Sequence, residues 1–244
     1  MSAPFCSSEV PPLALLAGGF GTRLGSLTAR VPKSLLPVAG EPFVAHQLRL
    51  LAAQGICNIV ICCGHLGEKI ESFVGDGRQF GCSARYSYDG PAPLGTGGAI
   101  RKALPLLGSQ FWVMYGDSYL TAPFAPVLNA FRSSGLPALM TVHANADRWD
   151  VSNVLFSAGK VLSYDKRCSQ SGMRHIDYGL GLFSAAGFAE WPEGSAFDLA
   201  DLQGRLAEQG MMAGYEIPER FYEIGSLAGL QETDSFLSLR GVQA

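Results

Sequence analysis

A cluster of glycines and basic residues near the start of the chain could bind a polyphosphate. Residues 15–24 have the sequence LLAGGFGTRL, in which three glycines, a threonine and an arginine follow an apolar run. Glycines allow a tight turn and leave main-chain N–H groups free to face an anion. Arg23, and Lys33 in the following Pro-Lys-Ser segment, add positive charge to the same neighbourhood. The segment therefore predicts a nucleotide-binding loop.

Two better-known glycine motifs do not fit this segment. The dinucleotide-binding fingerprint GxGxxG would begin at Gly19 and Gly21, but its third glycine is missing because Gly25 comes one position late. The Walker pattern needs glycines at fixed spacings before a Lys-Ser pair, and Pro32 precedes Lys33 instead. The segment therefore indicates a phosphate-binding loop of another kind.

The composition limits the classes of function. Of the 244 residues, 48% are hydrophobic and 16% are charged, and the formal net charge is −3. Such a chain offers no basic stripe to release counterions from a nucleic acid. No apolar run approaches the roughly 20 residues of a membrane helix, and residues 1–12 lack the features of a signal peptide. We expect a soluble, cytoplasmic protein that binds neither nucleic acid nor membrane, and the low charged share is compatible with a homodimer.

Short apolar strands and amphipathic helices alternate along the first part of the chain. Strands are predicted over residues 13–17, 56–63, 83–88, 111–115 and 138–143, and helices over residues 43–54, 68–74, 98–107 and 124–133. This βαβα rhythm predicts an α/β fold, with a Rossmann-like, mostly parallel mixed sheet and helices on both faces.

The rhythm changes after about residue 145. Further strands are predicted over residues 153–156, 160–164, 176–183, 212–217 and 220–224, and a closing helix over residues 227–239. The sequence from Ser195 to Asp198 has the form of a capping box that begins a helix ending near Leu206. The chain contains no internal repeat or interdomain linker, so we predict one domain, 1–244, with two halves that meet near residue 145.

Polar residues at the predicted strand ends could complete a phosphate site. Asp117 follows the strand 111–115, and ligands of open α/β sheets bind at the carboxyl ends of strands. An aspartate there can hold Mg²⁺ together with phosphate oxygens and water. A second glycine-rich segment, residues 94–99, lies where a helix begins, and Gly64 follows the strand 56–63. Both are expected to line the nucleoside pocket.

Together these segments resemble the signature of the sugar-1-phosphate nucleotidylyltransferases. The resemblance begins with the loop at 15–24 and the Pro-Lys-Ser segment. It continues through Asp117 to Glu223, which precedes an apolar residue and a glycine before the last helix. Within the family, the chain is most similar to short bacterial enzymes of the mannose- or heptose-1-phosphate guanylyltransferase type. The resemblance implies a nucleotide-binding half, 1–145, and a sugar-binding half, 146–244.

The resemblance also implies a role for each matching residue. Arg23, Lys33 and Asp117 are expected to be catalytic. Asp117 and Glu223 are expected to hold Mg²⁺. The residues expected to bind the sugar phosphate are Lys166, Asp177 and Gly179. The residues expected to bind the nucleotide are Leu16, Ala17, Gly18, Gly19, Gly21, Thr22, Arg23, Gly64, Gly95, Thr96 and Gly97.

Two positions depart from the family pattern. Glu223 stands where aspartate is most common, and its extra methylene extends the carboxylate by about 1.5 Å, so a metal contact could be direct or through water. Asp177 and Tyr178 replace the usual Asn-Ala pair. Because an ionised carboxylate only accepts hydrogen bonds, we expect this pair to alter the sugar preference.

The implied reaction transfers a nucleotidyl group from a nucleoside triphosphate to a sugar 1-phosphate, with GTP and a mannose- or heptose-like sugar expected. Two alternatives stay open. The first is an enzyme that uses UTP or CTP with another sugar 1-phosphate, such as that of N-acetylmuramic acid or glucose. The second is a non-catalytic regulatory subunit that binds nucleotide sugars. Glu223 keeps this second alternative open, whereas the presence of Arg23, Lys33 and Asp117 argues against it.

Overall fold

The computed structural model describes residues 9–145, 151–167 and 170–241. Its contacts divide the chain into two compact units. Unit 1 contains the described residues up to Pro93, together with Met114–Leu120 and the described residues from Phe221 onward. Unit 2 contains Leu94–Val113 and the described residues between Thr121 and Arg220. The units are discontinuous in sequence, whereas the predicted halves are contiguous stretches that would meet beside residues 146–150, which lie outside the described residues.

The elements are numbered in chain order. The strands of the described residues are β1 (Leu13–Leu16), β2 (Pro37–Val38), β3 (Glu41–Pro42), β4 (Asn58–Cys63), β5 (Ser83–Tyr88), β6 (Gln110–Tyr115), β7 (Ser118–Leu120), β8 (Ala138–Ala144), β9 (Val154–Ser157), β10 (Lys160–Tyr164), β11 (His175–Ser184), β12 (Met212–Glu216) and β13 (Phe221–Glu223). The α-helices are α1 (Phe43–Ala53), α2 (Gly67–Val74), α3 (Gly95–Leu107), α4 (Ala125–Ser134), α5 (Leu199–Glu208) and α6 (Leu227–Gly241).

Unit 1 is built around a parallel sheet of buried apolar strands. β1 pairs in parallel with β4, and β4 pairs in parallel with β5. Almost every residue of β1 and β4 is buried, which explains why these strands are continuous apolar runs without alternation. Parallel strands have their carboxyl ends at the same edge of the sheet, so the segments that follow β1 and β4 begin side by side.

A second, smaller sheet of unit 1 brings the segment that contains β13 to Asp117. β7 pairs antiparallel with β13, with Ser118 opposite Glu223. The Ile224 N–H donates to the Asp117 carbonyl at 2.9 Å. This sheet and α6 share a core cluster formed by Val38, Phe43, Tyr119, Ile224 and Leu237. The cluster anchors the end of β13, where Glu223 lies.

Unit 2 contains a mixed sheet. β8 pairs in parallel with β12 and antiparallel with β11, and β10 pairs antiparallel with both β9 and β12. The register of β11 shifts between Asp177 and Gly181, which marks a bulge in this strand. Helix α5 packs against β10 and against α3. The predicted α/β fold with a mixed sheet and helices is confirmed.

Three local predictions are corrected. Helix α5 begins at Leu199 with Asp198 as its N-cap, because the Asp198 side chain accepts from the Ala200 N–H. Ser195, predicted as the start of a capping box, instead donates its hydroxyl to the Pro192 carbonyl at 2.7 Å. The second glycine-rich segment is the first turn of α3 and not a loop before it.

The short strands β2, β3 and β7 were not predicted, because segments of two or three residues carry no periodic pattern. No helix within residues 9–145, 151–167 and 170–241 is long and apolar enough to cross a membrane.

Candidate active site

The loop that follows β1 in unit 1 is held by Thr28. Gly21 has a φ of +64°, and a β-carbon there would lie 2.8 Å from Thr28 Cγ2, so glycine is required on two grounds. The Thr28 hydroxyl lies 3.0 Å from the Gly21 carbonyl, to which it donates. Short 3₁₀ turns then span Thr22–Thr28, with a break at Gly25. This fold leaves Thr22 and Arg23 exposed at the start of the turns.

Gly18 and Gly64 are required by the close approach of the segments that follow β1 and β4. A β-carbon on Gly18 would lie 3.0 Å from the Gly64 nitrogen, and one on Gly64 would lie 2.7 Å from the Gly18 oxygen. Leu16 and Ala17 use backbone groups in neighbouring contacts, because the Leu16 carbonyl accepts from Gly116 and the Ala17 N–H donates to Cys62. Gly19 differs, since a β-carbon there would meet nothing within 4 Å. Of these predicted nucleotide-binding residues, Gly19 is therefore the one that faces open space.

Lys33 and Asp117 form an ion pair within unit 1. The Lys33 Nζ lies 2.6 Å from Asp117 Oδ2, with side chains 18% and 24% exposed. Lys33 lies on the 3₁₀ turn Lys33–Leu35, and Asp117 lies between β6 and β7. Gly116 lets the Asp117 turn approach β1, because a β-carbon on Gly116 would lie 2.5 Å from the Leu16 oxygen. The predicted catalytic lysine and aspartate are thus direct neighbours.

Glu223 and Arg23 converge on the same place. A β-carbon built on Gly225 would lie 2.6 Å from Glu223 Oε2, 3.3 Å from Asp117 Oδ2 and 3.5 Å from Arg23 Nη2. Glu223 Oε1 also accepts from the Ser226 hydroxyl at 2.7 Å, and Oε2 accepts from the Gly225 N–H. Unit 1 therefore brings together the side chains of Arg23, Asp117 and Glu223 around Gly225, with Lys33 on Asp117. We call these four residues the charged cluster.

The charged cluster fits a magnesium ion that is shared with a substrate. Mg²⁺ is usually bound through one or two carboxylates plus phosphate oxygens and water, and Asp117 and Glu223 supply two neighbouring carboxylates. No group of three or more His, Cys, Asp or Glu side chains that could hold a metal occurs among the described residues. Two carboxylates leave coordination positions that phosphate oxygens and water can fill.

The glycines of α3 in unit 2 are explained by packing against the segment before α5. Gly95 has a φ of +70°, and a β-carbon there would lie 2.5 Å from the Phe197 oxygen. A β-carbon on Gly97 would overlap the Phe197 ring, and the Gly97 N–H donates to the Phe197 carbonyl at 3.0 Å. The Phe197 ring is itself stacked on Trp191, with centroids 3.8 Å apart. The missing side chains of these two predicted nucleotide-binding residues thus serve helix packing.

Thr96, Asp198 and Lys166 form a hydrogen-bonded network within unit 2, which we call the Asp198 network. The Thr96 hydroxyl donates to Asp198 Oδ1 at 2.8 Å and accepts from the Leu199 N–H at 2.8 Å. Asp198 Oδ2 lies 2.9 Å from Lys166 Nζ. Burial alone would raise the pKa of Asp198, but hydrogen bonds from Ala200, Lys166 and Thr96 lower it below its usual value. Thr96 and Lys166 therefore have structural partners as well as predicted binding roles.

The predicted sugar-binding pair in β11 has two different environments. Asp177 is half-buried, and its Oδ1 accepts from the Gly179 N–H at 2.9 Å. Gly179 has a φ of +95°, which the bulge of β11 requires. Tyr178 is 1% exposed, its ring lies 6.2 Å from that of His143, and burial raises its pKa to about 12. The expectation that Tyr178 helps choose the sugar is corrected, because this side chain belongs to the core.

Several residues near the predicted site were not identified from the sequence. Ser226 bonds Glu223, and Asp198 bonds Lys166, yet a serine and an N-capping aspartate are common at helix starts. Gly229 lies inside α6, where glycine is unfavourable. A glycine within a predicted helix is a sequence signal that a side chain at that position would meet a close neighbour. Phe20 is 52% exposed and stacks on His65 with ring centroids 5.1 Å apart. The contacts of Asp198 with Lys166 and of Phe20 with His65 join segments distant in sequence, whereas those of Glu223 with Ser226 and Gly229 form locally at the start of α6.

Sequence comparison identifies a family and relatives that this chain resembles. Residues 14–150 match the family described as Nucleotidyl transferase. The N-acetylmuramate alpha-1-phosphate uridylyltransferase of Neisseria meningitidis serogroup B is 31% identical over 227 residues, which cover 91% of this chain and 96% of that protein. The mannose-1-phosphate guanyltransferase of Gibberella zeae is 34% identical over 125 residues, which cover 50% of this chain. The aligned part is 34% of that longer relative.

A solved structure has the same fold. The crystal structure of HddC from Yersinia pseudotuberculosis complexed with GMP-PN superposes with a TM-score of 0.78. The two chains are 22% identical, and the superposition covers 93% of this chain and 100% of the other. At this identity the likeness concerns the arrangement of helices and strands.

Proposed function

Because the chain belongs to the nucleotidyl transferase family, we propose that it transfers a nucleotidyl group from a nucleoside triphosphate to a sugar 1-phosphate. An oxygen of the sugar phosphate attacks the α-phosphorus and forms a new P–O bond. The bond between the α-phosphorus and its bridging oxygen to the β-phosphate breaks, and pyrophosphate leaves. Such a transfer needs in-line positioning and charge neutralisation more than covalent chemistry by the protein.

The observation that carries this proposal is the charged cluster. Two cations and two carboxylates from four separate segments meet beside Gly225, which has no side chain of its own to exclude them. A purely structural arrangement would more simply be built from apolar residues, because removing charges from water costs energy that their mutual attraction often does not repay. Phosphoryl transfer, by contrast, uses both signs of charge at one place.

Arg23 and Lys33 are proposed to neutralise the triphosphate. Arg23 is exposed and presents a planar guanidinium, which can bind phosphate oxygens through two hydrogen bonds. An ammonium has three N–H donors, and the contact between Lys33 and Asp117 uses one of them. Lys33 can therefore orient Asp117 while it also contacts a phosphate oxygen. Negative charge that develops on the leaving pyrophosphate is stabilised by both side chains.

Asp117 and Glu223 are proposed to hold Mg²⁺, which would supply positive charge next to the α-phosphate. Lys33 orients one of these carboxylates, and Ser226 and Gly225 orient the other. The protein thus fixes both ligands by hydrogen bonds before any substrate contact. Pre-oriented ligands reduce the reorganisation that the transition state requires.

Lys166, which lies in unit 2, is proposed to bind the sugar phosphate. Lys166 is 48% exposed and lines a cavity of about 550 Å³ together with Arg167 and Asp198. Its ion pair with Asp198 restricts the side chain but leaves ammonium donors for a phosphate. Asp177 and Gly179 are proposed to contact the sugar phosphate, and the first turn of α3 is proposed to contact the nucleoside.

The substrate pair is proposed from the comparisons. The relative from Neisseria meningitidis matches over 91% of this chain and is named a uridylyltransferase of N-acetylmuramate alpha-1-phosphate. UTP with that sugar phosphate is therefore the first candidate pair. GTP with a mannose- or heptose-like 1-phosphate, predicted from the sequence, stays the second candidate, and a guanyltransferase relative that matches half of the chain supports it.

A substrate panel tests the proposal. The purified protein is incubated with Mg²⁺, each of UTP, GTP, CTP and dTTP, and each of several sugar 1-phosphates, and pyrophosphate release is measured. We expect release with one base and one sugar to exceed the other pairs by about 10²-fold or more. Binding of nucleotide sugars without release in any pair would instead favour the regulatory subunit.

A further inference from the structure

Gly229 lies within α6 at a position where any side chain would clash with Glu223. A β-carbon on Gly229 would overlap Glu223 Oε1 and would lie 2.6 Å from the Glu223 carbonyl oxygen. Glycine inside a helix is less favourable than alanine, because it loses more backbone freedom on folding. The Glu223 side chain therefore occupies the space over the first turn of α6 that a side chain at 229 would fill.

Gly225 and Ser226 complete the surroundings of the Glu223 carboxylate. Gly225 donates its N–H to Oε2, and a β-carbon there would lie 2.6 Å from the same oxygen. The Ser226 hydroxyl donates to Oε1 at 2.7 Å and accepts from the Gly229 N–H at 2.9 Å, as an N-cap residue does. Both carboxylate oxygens are thus bonded to the start of α6, where the helix dipole favours a negative charge.

We propose that Gly225, Ser226 and Gly229 form a seat that fits glutamate, and not aspartate, at position 223. An aspartate carboxylate would be about 1.5 Å shorter and would leave the space beside Gly229 unfilled. The seat holds Glu223 Oε2 next to Asp117 Oδ2, since both oxygens lie within 3.3 Å of the same point. Ser226 and Gly229 are therefore positioning residues for the second carboxylate. The metal-binding part of this inference rests on the proposed function, whereas the fit itself does not.

Paired substitutions at 223 and 229 test the fit. In the protein with Glu223, Gly229→Ala should lower the midpoint of thermal unfolding by about 4 °C or more, because the methyl group displaces the carboxylate. In the Glu223→Asp background, the same substitution should lower the midpoint by about 2 °C or less, because only the contact with the carbonyl oxygen of residue 223 remains and alanine favours the helix. An equal shift in both backgrounds, including failure to fold in both, would overturn the seat.

A matched control is available on the same helix. Ser238 is exposed in α6, so Ser238→Ala should shift the midpoint by the same small amount in both backgrounds. Ser226→Ala should lower the midpoint more in the Glu223 protein than in the Glu223→Asp background, since the lost donor serves the longer carboxylate. The opposite order would contradict the assignment of Ser226.

Direct metal binding tests the positioning. Mn²⁺ alone is titrated into the protein, and free Mn²⁺ is followed by its electron paramagnetic resonance signal. Gly229→Ala should weaken Mn²⁺ binding about tenfold in the Glu223 protein and about twofold or less in the Glu223→Asp background, where no carboxylate is displaced. Unchanged affinity in both would show that the seat does not position a metal ligand. If no Mn²⁺ binds while the two thermal shifts differ, the metal assignment of the proposed function fails and the fit is retained.

Discussion

The charged cluster of unit 1 and the Asp198 network of unit 2 each contain a lysine–aspartate pair, but the aspartates have different surroundings. Asp198 caps its own helix and accepts from the Ala200 N–H, the Thr96 hydroxyl and Lys166. Asp117 has Lys33 on one oxygen and the Glu223 carboxylate as a neighbour. Two adjacent carboxylates repel each other unless cations lie between them.

The difference separates a stabilising network from a reactive one. The Asp198 network is satisfied by groups of its own unit, so its loss should affect mainly folding and the position of Lys166. The charged cluster concentrates charges of both signs around a position without a side chain, so its loss should affect mainly turnover. Four predictions test this contrast.

The largest effect is expected at Asp117. Asp117→Asn keeps the shape of the side chain but removes the charge that is proposed to hold Mg²⁺ and to pair with Lys33. We expect kcat, measured by pyrophosphate release, to fall by about 10²–10³-fold. The far-ultraviolet circular dichroism spectrum should stay the same as a control for folding. A rate close to that of the unsubstituted enzyme would refute the metal assignment.

The two lysines should produce different kinetic changes. Lys33→Met should lower kcat by about 10²-fold, because the lost charge acts on the reacting phosphates. Lys166→Met should raise the KM for the sugar 1-phosphate by about tenfold with a smaller change in kcat, as expected for a lost binding contact. Steady-state kinetics with each substrate varied would check this. The same pattern for both variants would remove the contrast between the two regions.

Two glycines should separate stability from binding. Gly97→Ala should lower the free energy of unfolding by about 1–3 kcal/mol, because the Phe197 ring lies against Gly97 and is stacked on Trp191. The methyl group of Gly19→Ala meets open space, so the free energy of unfolding should stay within about 0.5 kcal/mol of that of the unsubstituted protein. The KM for the nucleotide should rise severalfold, because Gly19 is proposed to contact the nucleotide. Urea unfolding and kinetics on both variants test the prediction. Equal destabilisation by the two substitutions would contradict it.

The smallest effect is expected from the acid titration of Asp198. Its pKa is lowered in the folded protein, so its contribution to stability is present above the unfolded value of about 3.9 and is lost as pH falls through the folded pKa. Asp198→Asn should therefore be less stable than the unsubstituted protein at pH 7. The difference in thermal midpoint should shrink as pH is lowered below about 4. A constant difference across the acid range would show that the ionised carboxylate is not what Lys166 and Thr96 recognise.

Local patterns in the sequence predicted most elements of the fold. β5 and β10 coincide with the predicted strands, and α1 differs from its predicted helix by one residue at its end. These elements have clear apolar periodicity that local sequence carries by itself. The start of α5 was misplaced, because Ser195 and Asp198 both suit a helix N-terminus and only the bond to the Ala200 N–H distinguishes them.

The sequence by itself determined which residues could do chemistry, because glycine turns, lysines and carboxylates have residue-specific properties that do not depend on distant segments. Tertiary structure alone decided which of them meet. Asp117 and Glu223 come together through the pairing of β7 with β13, and Thr96 meets Asp198 through the packing of α3 on α5. Gly97 and Gly229 are glycines because Phe197 and Glu223 occupy the space of a side chain. The contact between Gly97 and Phe197 joins segments far apart in the chain, and the contact between Gly229 and Glu223 depends on how the chain passes from β13 into α6, so residue types alone reveal neither steric demand.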